Sequence, residues 1–251
     1  FFELALVGTS TEETLELVED AARAGDRAAT GEKLRRALAG AMASGGQGAR
    51  DGGRTRSMLL RRASAFIYEE VGDLDQAFAW LTDALVANVD AQTLDALEEL
   101  GRRVGELART ESALTRALGE VFDGPLVRQL LGRRARVRKD ELDDKAGAAA
   151  DLKKLHDLTP TDVAVLDELS TLLRELGDYR GMIQLFEDQI LRGKDVNARA
   201  ELARKVARMW EDELDDPREA ADAWRRVLRM KPGDEEATDS LERAKAVMRS
   251  E

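Results

Sequence analysis

The chain contains no cysteine, four prolines in 251 residues, a single histidine and only 4% aromatic residues. Without cysteine there are no disulfides and no thiolate metal sites. With His156 as the lone imidazole, a transition-metal site would rest on carboxylates, whereas softer ligands normally define such sites. A serine triad would have to use this one histidine, and no nucleophile-elbow sequence accompanies it. No apolar run approaches the roughly 18 residues needed to span a bilayer. The opening Phe1–Val7 is short and lacks the basic flank of a signal peptide. No catalytic residue, cofactor or metal is therefore expected.

What the chain does have is charge and helix-forming residues. Charged residues make up 35% and hydrophobic residues 43%. Abundant Ala, Leu, Glu and Arg favour helix over sheet, and no strand-like alternation survives inspection. The formal charge of −11 argues against nucleic acid as the main partner, since phosphate binding requires an electropositive face.

A short phrase recurs along the chain. An acidic or Gly-acidic turn is followed after four residues by Ala, Met or Thr, and after four more by a large apolar residue. The clearest copy is Gly72-Asp73, Ala77, Leu81, Ala84-Leu85. The beats return after Glu106 (Thr110, Leu114), Asp144 (Ala148, Leu152), Asp178 (Met182, Phe186) and Asp216 (Ala220, Trp224). Marker intervals of 33, 38, 34 and 38 residues alternate, so a two-hairpin unit of 72 residues underlies them. Ala135–Asp144 and Ala207–Asp216 share seven of ten residues, which points to duplication. A weaker copy begins at Gly25-Asp26, and Ser44–Gly53, with five glycines, reads as a mobile loop between hairpins.

These beats resemble the tetratricopeptide repeat, whose signature combines a Gly-acidic turn, small residues at the helix crossing and a late proline. Pro160 and Pro232 each follow their markers by sixteen residues, where that family places its proline. The flavour is similar to large bacterial arrays of these repeats, and the third and fifth copies carry longer turns than the family norm. The resemblance implies an all-α, right-handed superhelical stack of about six antiparallel hairpins. Its expected organisation is a first hairpin and preceding helix tail over 1–43, a loop over 44–54, five clearer hairpins over 55–232 and a capping helix over 233–251. The expected helices run about Thr55–Val71, Leu74–Ala87, Ala91–Val104, Leu107–Phe122, Leu126–Leu142, Lys145–Asp157, Thr161–Leu176, Tyr179–Leu191, Asn197–Leu214 and Pro217–Met230. The last helix reads as a cap or as half of a further hairpin, so the chain reads as a piece of a longer array.

In that family the first helix of each hairpin, helix A, lines a concave groove that holds partner peptides. Carried onto this sequence, the groove beats are Arg62 and Phe66, then Asp95 and Arg102, then Arg133 or Arg134, and finally Arg204 with Arg208. Arg128, Arg133, Arg134, Arg136, Arg138 and Lys139 crowd one helix A of an otherwise acidic protein. Because Arg forks pair bidentately with carboxylates, the expected occupant is an acidic peptide or chain terminus. The alternative is a solvated helix face that compensates the acidic turns. The chaperone-type carboxylate clamp is not expected, since neither Asn88 nor Asn197 falls on a groove beat.

The expected function is a non-catalytic protein-interaction scaffold. An architectural or self-associating segment, joined through Phe1-Phe2 or Leu241/Met248, is the second reading, and a carboxylate-based enzyme around His156 the third. His156 falls on a beat held by Leu or Ile in other copies, which makes it a packing residue first. The runs Asp140–Asp144 and Asp212–Asp216 lack EF-hand spacing and read as helix caps rather than calcium ligands.

Overall fold

Helix boundaries follow from turn chemistry that repeats along the chain. A computed structural model describes residues 52–250, together with Asp20 and Ala29. The weak first hairpin and most of the Gly-rich loop lie outside the described residues. Contacts divide the chain into two compact units, one through Leu158 and one from Thr159.

Among the described residues unit 1 holds three hairpins. Helix α1 (Gly52–Phe66) pairs with α2 (Leu74–Ala87), α3 (Ala91–Val104) with α4 (Leu107–Glu120), and α5 (Gly124–Arg136) with α6 (Lys145–Leu158). Unit 2 pairs α7 (Val163–Glu175) with α8 (Tyr179–Arg192) and α9 (Val196–Arg208) with α10 (Pro217–Met230), and α11 (Glu235–Ser250) packs on α10. No strand occurs among the described residues. The start of α1 at Gly52 corrects the expectation that Gly52 and Gly53 belong to a loop.

Each hairpin reverses through one left-handed residue followed by an acidic one. Gly72, Gly105 and Gly177 have φ of 78°, 72° and 68°, and an added Cβ at any of them would meet nothing within 4 Å. These glycines answer a backbone demand rather than a packing one. At the two duplicated turns the same position is Asp143 (φ 53°) and Asp215 (φ 48°). The following acid caps the next helix. Asp73, Asp144, Asp178 and Asp216 each accept the amide of the third residue on, at 2.8–3.1 Å. Asp90, Asp123 and Asp234 cap α3, α5 and α11 in the same way, and Asp162 and Asp195 accept the amide of the second residue on at the starts of α7 and α9. Glu106, one methylene longer, makes no side-chain cap. The acidic excess of the sequence is thus partly a supply of helix caps, each worth about 1 kcal/mol.

The third and fifth copies have long turns, and there helix A ends in a π turn: Val137–Glu141 after α5 and Met209–Glu213 after α9. Helix α1 ends likewise at Ile67–Val71. In the duplicated pair the amides of Asp144 and Asp216 reach back to the carbonyls of Arg138 and Trp210, at 2.7 and 2.9 Å.

The crossing of helix A on helix B explains the small residues at the fourth beat. Ala77, Ala148 and Ala220 are fully buried, and Ser64 Oγ donates to the Ala77 carbonyl at 2.8 Å. Thr110 and Met182 are the larger exceptions, and Gly101 makes room for Thr110: a Cβ at Gly101 would lie 2.1 Å from Thr110 Oγ1. Leu81, Leu114, Phe186 and Trp224 fill the seams as expected, all buried. In unit 2, Leu241 is buried and Met248 packs against the core. This corrects the expectation that these two present an outward apolar end; Phe1-Phe2 lies outside the described residues.

A left-handed aspartate costs about 1 kcal/mol relative to glycine. Asp143→Gly and Asp215→Gly are therefore expected to raise stability by roughly 0.5–1 kcal/mol each. The measurement is the urea midpoint, and an unchanged or lowered midpoint for both would contradict the turn assignment.

Candidate interaction surface

The first helices of adjacent hairpins leave space between them in unit 1. A cleft of about 170 Å³ opens between α1 and α3, with Ala65, Tyr68, Ala96 and Leu100 on its apolar side. Arg103 lies 5.3 Å from the Tyr68 ring centroid and 3.6 Å from Glu69. At one margin Arg61 Nη1 reaches Asp90 at 3.3 Å, and Ser57 Oγ lies 3.1 Å from Thr93 Oγ1. Burial alone would raise the Asp90 carboxyl, but the Thr93 amide, Asn88 and Arg61 outweigh it and hold the group below the ordinary range.

The Arg residues selected from the sequence are on helices A, and most are already engaged. Arg102 pairs with Glu98 and Glu141, both at 2.9 Å, with about half its side chain exposed. Arg133 reaches Asp95 at 2.8 Å and Glu98 at 3.0 Å, so Glu98 draws Arg102 and Arg133 together. In unit 2, Arg204 pairs with Asp234 and Glu201, and Arg208 with Glu236. Arg62 is half-buried on α1. Two expectations require correction. Phe66 is buried in the unit 1 core, because it falls on the stripe that faces α2. Arg134 is 8% exposed and bidentate to Asp151, at 2.8 and 2.6 Å, so it holds the hairpin together.

That pair belongs to a buried polar network. Arg134 also donates to Thr115 Oγ1 at 2.7 Å, while Arg138 reaches Asp151 at 3.0 Å and Glu111 at 2.6 Å. Asp151, Glu111 and Glu98 were not singled out in the sequence. A usable signal existed, because several Arg residues meet an acid about one repeat away. Arg109–Asp75, Arg116–Asp83 and Arg133–Glu98 are separated by 34, 33 and 35 residues.

His156 is buried on α6, as a packing residue on that beat would be. Of the acidic runs, Asp144 and Asp216 cap helices, while Glu141 serves Arg102. Among the described residues no group of three or more His, Asp or Glu is placed to hold a metal ion. No described helix is long and apolar enough to cross a membrane.

Short paired helices, a left-handed residue with an acidic cap in the turn, and a small residue at the crossing occur together here. These hairpins are tetratricopeptide-like. No family model matches the chain, and no curated protein matches it. Solved structures similar to it include PilF of Pseudomonas aeruginosa, 15% identical, covering 92% of this chain and 98% of that one, with a TM-score of 0.34. The C-terminal part of a TPR repeat-containing protein from Cytophaga hutchinsonii is 13% identical over 91% and 93%, with a TM-score of 0.34. A tetratricopeptide repeat protein from Parabacteroides merdae is 19% identical over 95% and 100%, also at 0.34. The helix pairing described above carries the fold assignment.

Removing one member of a buried ion pair strands its partner at about 3–5 kcal/mol. Asp151→Asn is expected to lower stability by that amount in urea titration, whereas Arg116→Ala, at an exposed pair, should cost under about 1 kcal/mol. Equal costs would mean that Asp151 carries no special weight.

Acid titration tests the same electrostatics. Arg204 hydrogen-bonds Asp234 and Glu201 and holds both carboxyls below their ordinary range, as Asp90 is held. Carboxyls depressed on folding stabilise above their unfolded values near 4 and lose that contribution as pH falls through the folded ones. The melting temperature should therefore stay level from pH 7 to about 5 and drop below about 4. In Arg204→Gln that drop should be shallower, and an identical acid limb would dissociate Arg204 from the effect.

Proposed function

We propose that this chain is a non-catalytic protein-interaction scaffold that holds a partner segment along the helix-A face. The supporting observation is the cleft between α1 and α3, where Ala65 and Ala96 leave room beside Tyr68. Aromatic residues with two side-chain torsions offer large contact area at low entropic cost, which is why they anchor interfaces. The burial of His156 favours the non-catalytic side, since a general base must come within hydrogen-bond reach of its substrate.

Carboxylates on the partner would be held by Arg62, Arg102 and Arg133 in unit 1 and by Arg204 and Arg208 in unit 2. Most of these forks already carry an intramolecular acid, so an incoming carboxylate exchanges one pair for another and gains little. Affinity in this reading rests on the apolar cleft, with charge setting register. The net charge of −11 makes a polypeptide the favoured partner over nucleic acid.

The test is recovery of partners on the immobilised chain, quantified against Ala65→Glu/Ala96→Glu and against Arg102→Ala. The cleft double variant is expected to lose at least about tenfold in recovery, and Arg102→Ala less than about threefold. Equal recovery from the wild-type chain and the double variant would end this reading.

A further inference from the structure

The 72-residue duplication builds one compartment twice and furnishes it with a buried ion network only once. In unit 1 the space bounded by α4, the π turn after α5, and α6 is occupied by charge. Arg138 reaches Glu111 and Asp151 there, and Arg134 reaches Asp151 and Thr115. In unit 2 the residues 72 positions on are Trp210 for Arg138, Ile183 for Glu111, Ala223 for Asp151 and Val206 for Arg134. Only Thr115 is replaced by a charged residue, Glu187. The ions that filled the first compartment are replaced by apolar groups in the second.

The result is an open cleft of about 580 Å³ between α8 and α10, with Ile183, Trp210 and Ala223 along its apolar side. Trp210 is half-buried, and the Arg180 guanidinium lies 5.6 Å from its ring centroid. Charge lines the rest in an ordered way. Glu219 and Asp222 come from the first half of α10, and Arg225, Arg226 and Arg229 from the second. At 1.5 Å per residue the acidic and basic centres stand about 9 Å apart. Glu187 pairs with Arg226, and Asp222 with Arg225. Among the described residues Glu219 and Arg229, at the two ends, have no ion-pair partner. In unit 1, by contrast, α2 packs on α4 and is tied to it by Asp75–Arg109 and Asp83–Arg116.

We propose that this cleft is a second docking site, independent of the helix-A face, for a partner polypeptide of dipolar charge. Such a segment inserts one large apolar side chain against Trp210 and Ile183. It sets a basic residue toward the Glu219 and Asp222 group and a carboxylate toward the Arg225, Arg226 and Arg229 group. A helical occupant meets the 9 Å spacing with the basic residue at i−3, the apolar anchor at i and the acid at i+3, since six residues of helix rise about 9 Å.

The probes are helix-forming peptides with Lys, Leu and Glu at those positions. Controls carry Lys on both sides, Glu on both sides, or Ala in place of Leu. Trp80 and Trp224 are buried, so Trp210 fluorescence reports the cleft, and Trp210→Phe removes the signal while calorimetry still reads binding. The dipolar peptide is expected to saturate and to bind at least tenfold tighter than every control. Glu219→Arg, an exposed change, should weaken the dipolar peptide tenfold and shift preference to the peptide with Glu on both sides. That switch of preference is one that a merely destabilised variant would not produce. Absence of saturation up to about 1 mM by calorimetry, equal binding of all four peptides, or unaltered preference in Glu219→Arg would overturn the proposal. It would fall equally if chain concentration alone, without peptide, shifted Trp210 emission, since a second copy would then be the occupant.

Discussion

A helix of about fourteen residues is marginal by itself in water, so the order of this chain depends on the close crossing of helix A over helix B. That crossing uses a small residue where the two backbones approach, Met182 excepted, and a sharp reversal just before it. The left-handed residue and the acidic cap supply the reversal; Ala77, Ala148 and Ala220 supply the approach. Within each unit a hairpin still leaves one apolar side uncovered, and stacking covers it with the next. Everything placed on the surface, the clefts included, inherits its position from this crossing.

Charge has a different task. The −11 balance suggests a strongly acidic surface, yet many of the acids are engaged. Aspartates at helix starts neutralise free amides, and arginines reach back to acids about one repeat away. Exposed pairs of that kind add little individually. They favour one register of hairpin on hairpin, because a shift by half a turn would part the paired charges. The network of Arg134, Arg138 and Asp151 does the same under stricter terms, since Arg134 and Asp151 are both buried and loss of one strands the other.

Helix positions were largely legible in the sequence. The ranges 74–87, 91–104 and 217–230 coincide with α2, α3 and α10, because Asp at the cap and Gly or Pro beside it mark boundaries strongly. The surface was less legible. Phe66 and Arg134 were assigned to a groove from family beats, yet one faces α2 and the other is buried against Asp151. A helical repeat fixes which residues share a stripe, but the angle of that stripe to its neighbour depends on local packing. The π turns rotate the end of helix A, and no composition signal announces them. The engagement of Arg133 was hidden for another reason: its acids lie on the neighbouring hairpin, beyond any local window.

Gly101 and Thr110 bind the history of the chain as well as its shape. At the position of Gly101 the other copies carry Tyr68, Lys139, Leu173 and Glu211, all with a Cβ that Thr110 would not admit. Unequal exchange between repeats with a breakpoint inside this hairpin would join a bulky residue to Thr110 and overpack the crossing, at roughly 1–3 kcal/mol. Genetic shuffling of such arrays is thereby steered to whole-hairpin units, and a 72-residue block is the sort of module that survives it.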